Sequence, residues 1–465
     1  MGKAGDAALA ARRRASPPAP PALPPGAQAS IVGRSPFGLS IEYPLMERAL
    51  GAGPCPGPAL VAMLRELGSP TLRVGGDSQD LAGPSGAYHY PVPASFWPAL
   101  GCLARETGSQ ITVGLNFATA PLADELADVA AAEQAIPAGQ LSFSLGNEPD
   151  LYGISHILPN EPAFTVPVFR AAPWTAAQYL SEWDSRRALL GPVAIEGPDF
   201  AGSQWGSTAA SQLAADPPTT FDVHDYPTSA CGAGAERPTP ARLLGEHASV
   251  GLLDKYAWML ALAHSTNRPI VVSESNSASC GGTPGISNTP VAEVWAARFV
   301  VASLLAGYAQ VRFHSAGTSY DPLLFGANGA VTLTPLGRAL LFVHRWIPLG
   351  SRIEPGARAS AVLAARITAA GGSTSGGPGA SPSGESARSV NGGAATGMGA
   401  ASMILSSFST KAIAYEVDVQ GTARSVHTDT LTTNSPAEVG RWVAVHAHRA
   451  RVLLAPNTVV AVALG

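Results

Sequence analysis

Glu148 and Glu274 are the residues of this chain best placed to do chemistry. Glu148 follows Leu141-Ser-Phe-Ser-Leu145, a run of alternating apolar and small residues that breaks at Gly146 and Asn147, just before Pro149. Glu274 closes Ile270-Val-Val-Ser273, an apolar run of the same form. A carboxylate just beyond a strand end is where a (β/α)8 barrel assembles its active site. Two such groups are the least a protein needs to cleave a glycosidic bond. With retention of configuration they act as acid/base and nucleophile, about 5–5.5 Å apart. Pro149 and the apolar strand limit the water around Glu148, which favours its protonated form and the acid role. Glu274 suits the nucleophile, provided donors keep it ionised. Tyr226, which ends Phe221-Asp-Val-His-Asp-Tyr226, and Arg73 on an earlier strand are the candidate donors. One glutamate at a strand end is more often a cap or a surface group, so the reading rests on the matched pair.

The elements that must hold these groups are legible as a rhythm. Strands are predicted at Phe37–Tyr43, Thr71–Gly76, Ile111–Phe117, Leu141–Gly146, Val193–Gly197, Phe221–Tyr226, Ile270–Ser273 and Val311–His314. Helical spacing of apolar residues predicts helices between them, at Gly57–Gly68, Phe96–Glu106, Leu122–Gln134, Thr175–Leu190, Arg242–His264 and Val291–Ala306. Such alternation calls for right-handed βα units on a parallel sheet. Eight units suit a closed α/β (TIM) barrel, with Glu148 on the fourth strand and Glu274 on the seventh. No glycine-rich phosphate loop follows the first strand, which removes the dinucleotide-binding alternative.

The catalytic barrel is placed at 29–346, with 29–34 as a candidate edge strand of the next domain. Short strands at Ala361–Ile367, Ala401–Phe408, Ala412–Val419, Trp442–His446 and Val459–Leu464 predict an all-β sandwich over 347–465. Within it, 371–400 is nearly all Gly, Ser, Ala and Pro and reads as a flexible insertion. Residues 1–28 read as a disordered Ala/Pro-rich arm that includes Arg12–Arg14. That arm lacks the apolar core of a recognisable signal peptide.

Composition narrows the partners. With 46% hydrophobic and 13% charged residues the chain can fill a core, and a net charge of −4 gives no field for nucleic acid. No apolar run approaches the roughly 20 residues of a membrane-spanning helix. The four cysteines form no CxxC pair. Cys231 and Cys280 follow the sixth and seventh strands, and a disulfide and two free buried thiols are both open there.

Several segments together carry a resemblance: Ser40-Ile-Glu42-Tyr43, Leu72-Arg-Val-Gly-Gly-Asp-Ser-Gln-Asp80, Ser144-Leu-Gly-Asn-Glu-Pro-Asp150, Ser273-Glu274-Ser-Asn-Ser277 and the pair Gly281-Gly282. They resemble the β-glucuronidase and heparanase family, glycoside hydrolase family 79, of the clan whose acids lie on strands four and seven. The likeness runs from Phe37 to Trp346, and the β-domain fits it. It implies a secreted, retaining exo-β-glycosidase that acts on terminal β-linked glucuronic acid by double displacement, without metal or cofactor. The implied roles are Glu148 as acid/base, Glu274 as nucleophile and Asn147 as the partner of the sugar 2-hydroxyl. Tyr226 would orient the nucleophile, with Arg73 behind it. Glu42 and Asp80 would accept from ring hydroxyls, and Tyr320 with the Gly281 and Gly282 amides would hold the uronate carboxylate.

One position departs from the family. A tyrosine often precedes the glycine pair, whereas this chain has Ser279-Cys280. Glucuronate and a neutral sugar therefore both stay open, as do an α-L-arabinofuranosidase, an endo-β-glycanase and a catalytically silent carbohydrate-binding protein. Blander roles are a helix N-cap for Asp80 and loop packing for Tyr320. His224 and His314 read as buried, hydrogen-bonded histidines. Trp174, Trp183 and Trp205 read as packing, with Trp205 the one to test as a sugar platform.

Overall fold

The computed structural model describes residues 29–157, 165–231, 234–356, 361–369, 401–419, 423–433 and 435–464. The predicted arm at 1–28 and the whole of the predicted insertion at 371–400 lie outside them. Eight strands form the barrel: β1 (Phe37–Ile41), β2 (Thr71–Val74), β3 (Ile111–Leu115), β4 (Leu141–Leu145), β5 (Ile195–Phe200), β6 (Thr220–His224), β7 (Ile270–Ser275) and β8 (Gln310–Ser315). Each pairs in parallel with its neighbour in sequence, and β8 pairs back onto β1 to close the ring. Closure leaves no edge and buries both faces of the strands, which is why they read as short, nearly continuous apolar runs.

The pore is not apolar throughout. At its lower end the buried Arg312 donates to Glu196 Oε2 at 2.6 Å, to Thr112 Oγ1 at 3.2 Å and to Gln310 Oε1 at 2.9 Å. This polar plug fills the barrel below the strand ends that carry the candidate acids.

Among the described residues nine antiparallel strands make the second domain, and the short strand Ser30–Ile31 forms one edge by pairing with Arg352–Pro355. The sheet folds over so that Ile413–Asp418 and Arg449–Leu454 cover the layer of Val362–Thr368, Ala401–Ser407 and Thr458–Ala463. Val362, Leu405, Val417, Val452 and Val460 are buried between them. The opposite face, with Ile353, Ile367 and Ile404, joins the barrel core. The helix α1 (Pro290–Ala306) lies in that seam, buried on all sides. Its Arg298 donates to Ser406 Oγ at 2.7 Å and to the carbonyls of Leu244 and Ser407. From the following helix, α2 (Pro335–Trp346), Trp346 Nε1 donates to Asp429 Oδ2 at 2.9 Å. The two domains thus share one core.

The helix expected over Arg242–His264 is broken. It consists of Pro240–Leu243, 3-10 turns at Glu246–Ala248 and Gly251–Tyr256, and Ala257–Ser265. Gly245 and Gly251 interrupt the apolar periodicity there, and glycine gives up more freedom in a helix than other residues do. Disulfides join Cys55 to Cys102 and Cys231 to Cys280. The second ties together the loops that follow β6 and β7. Among the described residues no helix is long and apolar enough to cross a membrane.

Candidate active site

At the end of β4 the chain turns sharply. Gly146 has φ 80°, and a Cβ there would collide with the hydroxyl of Tyr152. Glu148 is itself left-handed at φ 48°, its amide donates to Asp199 O at 3.1 Å, and a 3-10 turn follows from Pro149. This geometry aims the Glu148 side chain across the pore. An oxygen of Glu148, a ring nitrogen of His224 and an oxygen of Glu274 lie within 4.8 Å of one another. The two glutamates predicted to face each other do so.

Their surroundings differ. Glu148 has 17% of its side chain exposed, against 7% for Glu274. Glu274 Oε1 accepts from the Tyr226 hydroxyl at 2.8 Å, and Oε2 accepts from Arg73 Nη1 at 2.9 Å with His314 Nδ1 at 3.5 Å. Burial pushes the Glu274 carboxyl up, but His314, His224, Arg73 and the Tyr226 hydrogen bond outweigh it and hold it well below the usual carboxylate range. Glu274 is therefore an ionised, oriented carboxylate.

Arg73 joins the two arms of the site. Fully buried on β2, it donates to Glu274 and Ser40 from Nη1, and to Asn147 Oδ1 at 3.0 Å from Nη2. His224 holds the other side. Its Nδ1 faces Glu148 Oε1 at 3.0 Å and its Nε2 faces Asp199 Oδ1 at 3.0 Å. Burial lowers the proton affinity of this ring, but the charge of Glu274 and the hydrogen bonds to Asp199 and Glu148 raise it to about 10. Both ring nitrogens of His224 thus face carboxylate oxygens, and its spacing to the two glutamates also suits a metal ion. His314 bridges Glu42 and Glu274, and burial is again outweighed by Glu274 and Glu42, which raise it to about 9.

Two carboxylates expected to meet the sugar are engaged by protein donors in this structure. Glu42 is 1% exposed, and its oxygens accept from the amides of Asp77 and Ser78, the Ser78 hydroxyl and His314. Asp80 is 2% exposed and accepts from the amides of Ala118 and Asn147 and the Tyr152 hydroxyl. Both carboxylates are occupied by protein donors and pin the loops after β1 and β2 to the ends of neighbouring strands. Asp80 is not a helix cap, and burial lifts its carboxyl to about 7 against those hydrogen bonds. Asp77, which the sequence reading passed over, accepts from Asn147 Nδ2 at 3.3 Å and is only half-buried.

Tyr320 and the glycine pair come together. Gly281 and Gly282 are left-handed at φ 79° and 74°, as is Cys280 at φ 59°. A Cβ on Gly282 would sit 2.9 Å from the Tyr320 ring, and Ser319 Oγ donates to Gly281 O at 3.0 Å. Tyr320 also packs edge-on to His314. The Cys280 side chain, where the family often has tyrosine, is committed to its disulfide. Trp205 packs on Tyr179, Phe200 and Trp174, so it belongs to the core as read. Asp199, which touches both His224 and Arg73, carries no expectation from the sequence; its signal is a second acid inside a buried strand, Glu196 to Asp199.

The class that fold and site define is the (β/α)8 barrel with glutamates at strands four and seven and an appended β-sandwich. No protein-family model matches the chain. It is 24% identical over 299 residues to a β-glucuronidase of Aspergillus niger, a match covering 54% of this chain and 52% of that protein. The chain thus spans about half the length of the curated relative it matches. Among solved structures it superposes on a 4-O-α-L-rhamnosyl-β-D-glucuronidase from Fusarium oxysporum 12S, with TM-score 0.69 and 19% identity over 96% of this chain and 99% of that one. A family 51 arabinofuranosidase from Xanthomonas axonopodis pv. citri gives TM-score 0.62 and 14% identity over 94% and 98%. The resemblance read from the motifs is borne out by the Aspergillus β-glucuronidase and the Fusarium glucuronidase, while the Xanthomonas structure shows the same fold in an arabinofuranosidase.

Proposed function

We propose that this protein is a secreted, retaining exo-β-glycosidase that removes terminal β-linked glucuronic acid. The observation that carries the reading is the placement of Glu148 and Glu274 within one sugar's reach. One is partly open to solvent beside His224, and the other is buried and held ionised by Arg73, Tyr226 and His314. Their spacing fits direct attack by a carboxylate better than the roughly 6.5–9.5 Å an inverting enzyme leaves for water.

In the first step Glu274 attacks the anomeric carbon while Glu148 protonates the departing oxygen, giving a glycosyl ester on Glu274. In the second, Glu148 takes a proton from water, which displaces Glu274. Asn147, fixed by Arg73, would bond the sugar 2-hydroxyl, a contact that strengthens as oxocarbenium character develops. Tyr320 and the Gly281 and Gly282 amides would hold the uronate carboxylate, since oriented backbone donors bind carboxylates without an arginine. The names of the Aspergillus and Fusarium relatives support a uronide, and two disulfides suit an oxidising, extracellular setting.

A panel of aryl glycosides tests this reading. Aryl β-glucuronide should be cleaved in preference to α-L-arabinofuranoside, β-xyloside and β-glucoside. Preference for the arabinofuranoside would favour the Xanthomonas-like alternative, and glycan binding without turnover would favour a silent lectin.

A further inference from the structure

The strand β5 bulges between Gly197 and Phe200, and the bulge turns Asp199, at φ 54°, into the pore beneath both glutamates. Its Oδ1 meets His224 Nε2 at 3.0 Å, Ser273 Oγ at 3.2 Å and Arg73 Nη2 at 3.4 Å. One fully buried carboxylate therefore touches the residue that holds Glu148 and the residue that holds Glu274. Asp222, on β6, lies behind it and accepts from the Asp199 amide at 2.7 Å. Burial and the charge of Asp199 raise the Asp222 carboxyl well above its ordinary range, while Arg73 and His224 outweigh burial and hold Asp199 below it.

We infer that Asp199 is a positioning residue that keeps His224 doubly protonated and thereby decides which oxygen of Glu148 carries the acid's proton. His224, on β6, faces Glu148 from the end of β4, Asp199 from β5, Glu274 from β7 and Arg73 from β2, and Asp222 of its own strand also acts on it through charge. With both ring nitrogens protonated, Nδ1–H donates to Glu148 Oε1. The carboxyl proton then resides on Oε2, the oxygen free to meet a leaving group. If His224 is neutral, Nε2–H still donates to residue 199, but the Nδ1 lone pair draws the Glu148 proton onto Oε1, away from substrate. Proton count is conserved: the imidazolium keeps both protons through the cycle, and the proton transferred is the one on Oε2. After transfer the imidazolium stabilises the Glu148 carboxylate that must next act as base.

This inference rests on the hydrolase reading, and its test separates the two. In Asp199→Asn, kcat/KM for a phenyl β-glucuronide, whose departure needs a proton, should fall by about 10²-fold or more, within the range for general acid catalysis. For the dinitrophenyl glucuronide, which leaves unaided, it should fall only a few-fold, and the alkaline limb of the pH profile should move down. In a His224→Gln background, Asp199→Asn should add nothing to the leaving-group dependence. A uniform loss over both leaving groups, with the limb unmoved, would leave Asp199 a structural residue. If the wild type cleaves no aryl glycoside, the hydrolase reading fails instead. Ring-nitrogen NMR shifts of labelled histidine still decide this point: His224 should be doubly protonated at pH 8 in the wild type and neutral in Asp199→Asn, and a neutral His224 in the wild type overturns the inference.

Discussion

Arg73 Nη1 donates to Glu274 Oε2 at 2.9 Å with neither side chain appreciably exposed. A buried ion pair of this kind is stabilising only while both members and their hydrogen bonds remain, and removing one strands the other. Arg73→Met should therefore destabilise the fold by about 3–5 kcal/mol, measured by denaturant unfolding. Glu274→Gln in that background should recover part of the loss, because the stranded charge is then gone. Activity should be lost in both variants.

Tyr226 supplies the other donor to Glu274. Tyr226→Phe removes one hydrogen bond to a charged group, worth about 1.5–3 kcal/mol, without opening a large cavity. If the bond is made chiefly to the reacting carboxylate, kcat/KM should drop by about 10- to 150-fold with little change in the unfolding midpoint. An unchanged rate would remove Tyr226 from the site.

The two histidines give the protein a signed pH response. Their folded values, about 10 for His224 and about 9 for His314, lie above the ordinary histidine value of 6.5. Groups raised in this way add stability that is full below the unfolded value and disappears as pH rises through the folded one. Asp80, raised from 3.8 to about 7, acts in the same direction but at lower pH, its contribution being lost between those two values. Denaturant stability should therefore decline between pH 6.5 and 10. His224→Gln should flatten the decline.

The disulfide between Cys231 and Cys280 closes a zipper in which Ser279 N donates to Thr228 O and Ala230 N to Ser279 O. Immediately beyond it stand the left-handed Gly281 and Gly282. Cys231→Ser with Cys280→Ser should loosen that turn and raise KM for the glucuronide roughly tenfold, a loss of about 1.4 kcal/mol. The corresponding glucoside should change much less, and equal effects on both would separate the glycine pair from carboxylate recognition.

How much of this was legible depended on what each residue's neighbours disclose. Glu148 and Glu274 could be found because each follows an apolar run at a chain break, and barrel topology then forces both to one mouth. Arg73 was readable for the same reason. Asp199 was not, because Gly197 and Pro198 look like the end of a strand, whereas β5 bulges and continues to Phe200. For Glu42 and Asp80 a motif locates the carboxylate, but only packing reveals the backbone amides that it also serves. Ser425–Thr432 and Arg449–Leu454 went unread because their pairing partners, rather than their composition, make them strands.

The central claim is that Glu274 attacks the sugar and Glu148 serves it as acid/base. Incubation with a 2-deoxy-2-fluoro-β-glucuronyl fluoride, followed by intact mass and peptide mapping, tests this most directly. The account predicts one covalent sugar per chain, attached at Glu274, accumulating also in Glu148→Ala because fluoride leaves without an acid. A label on any other residue would contradict it, as would release of the α-anomer with no adduct.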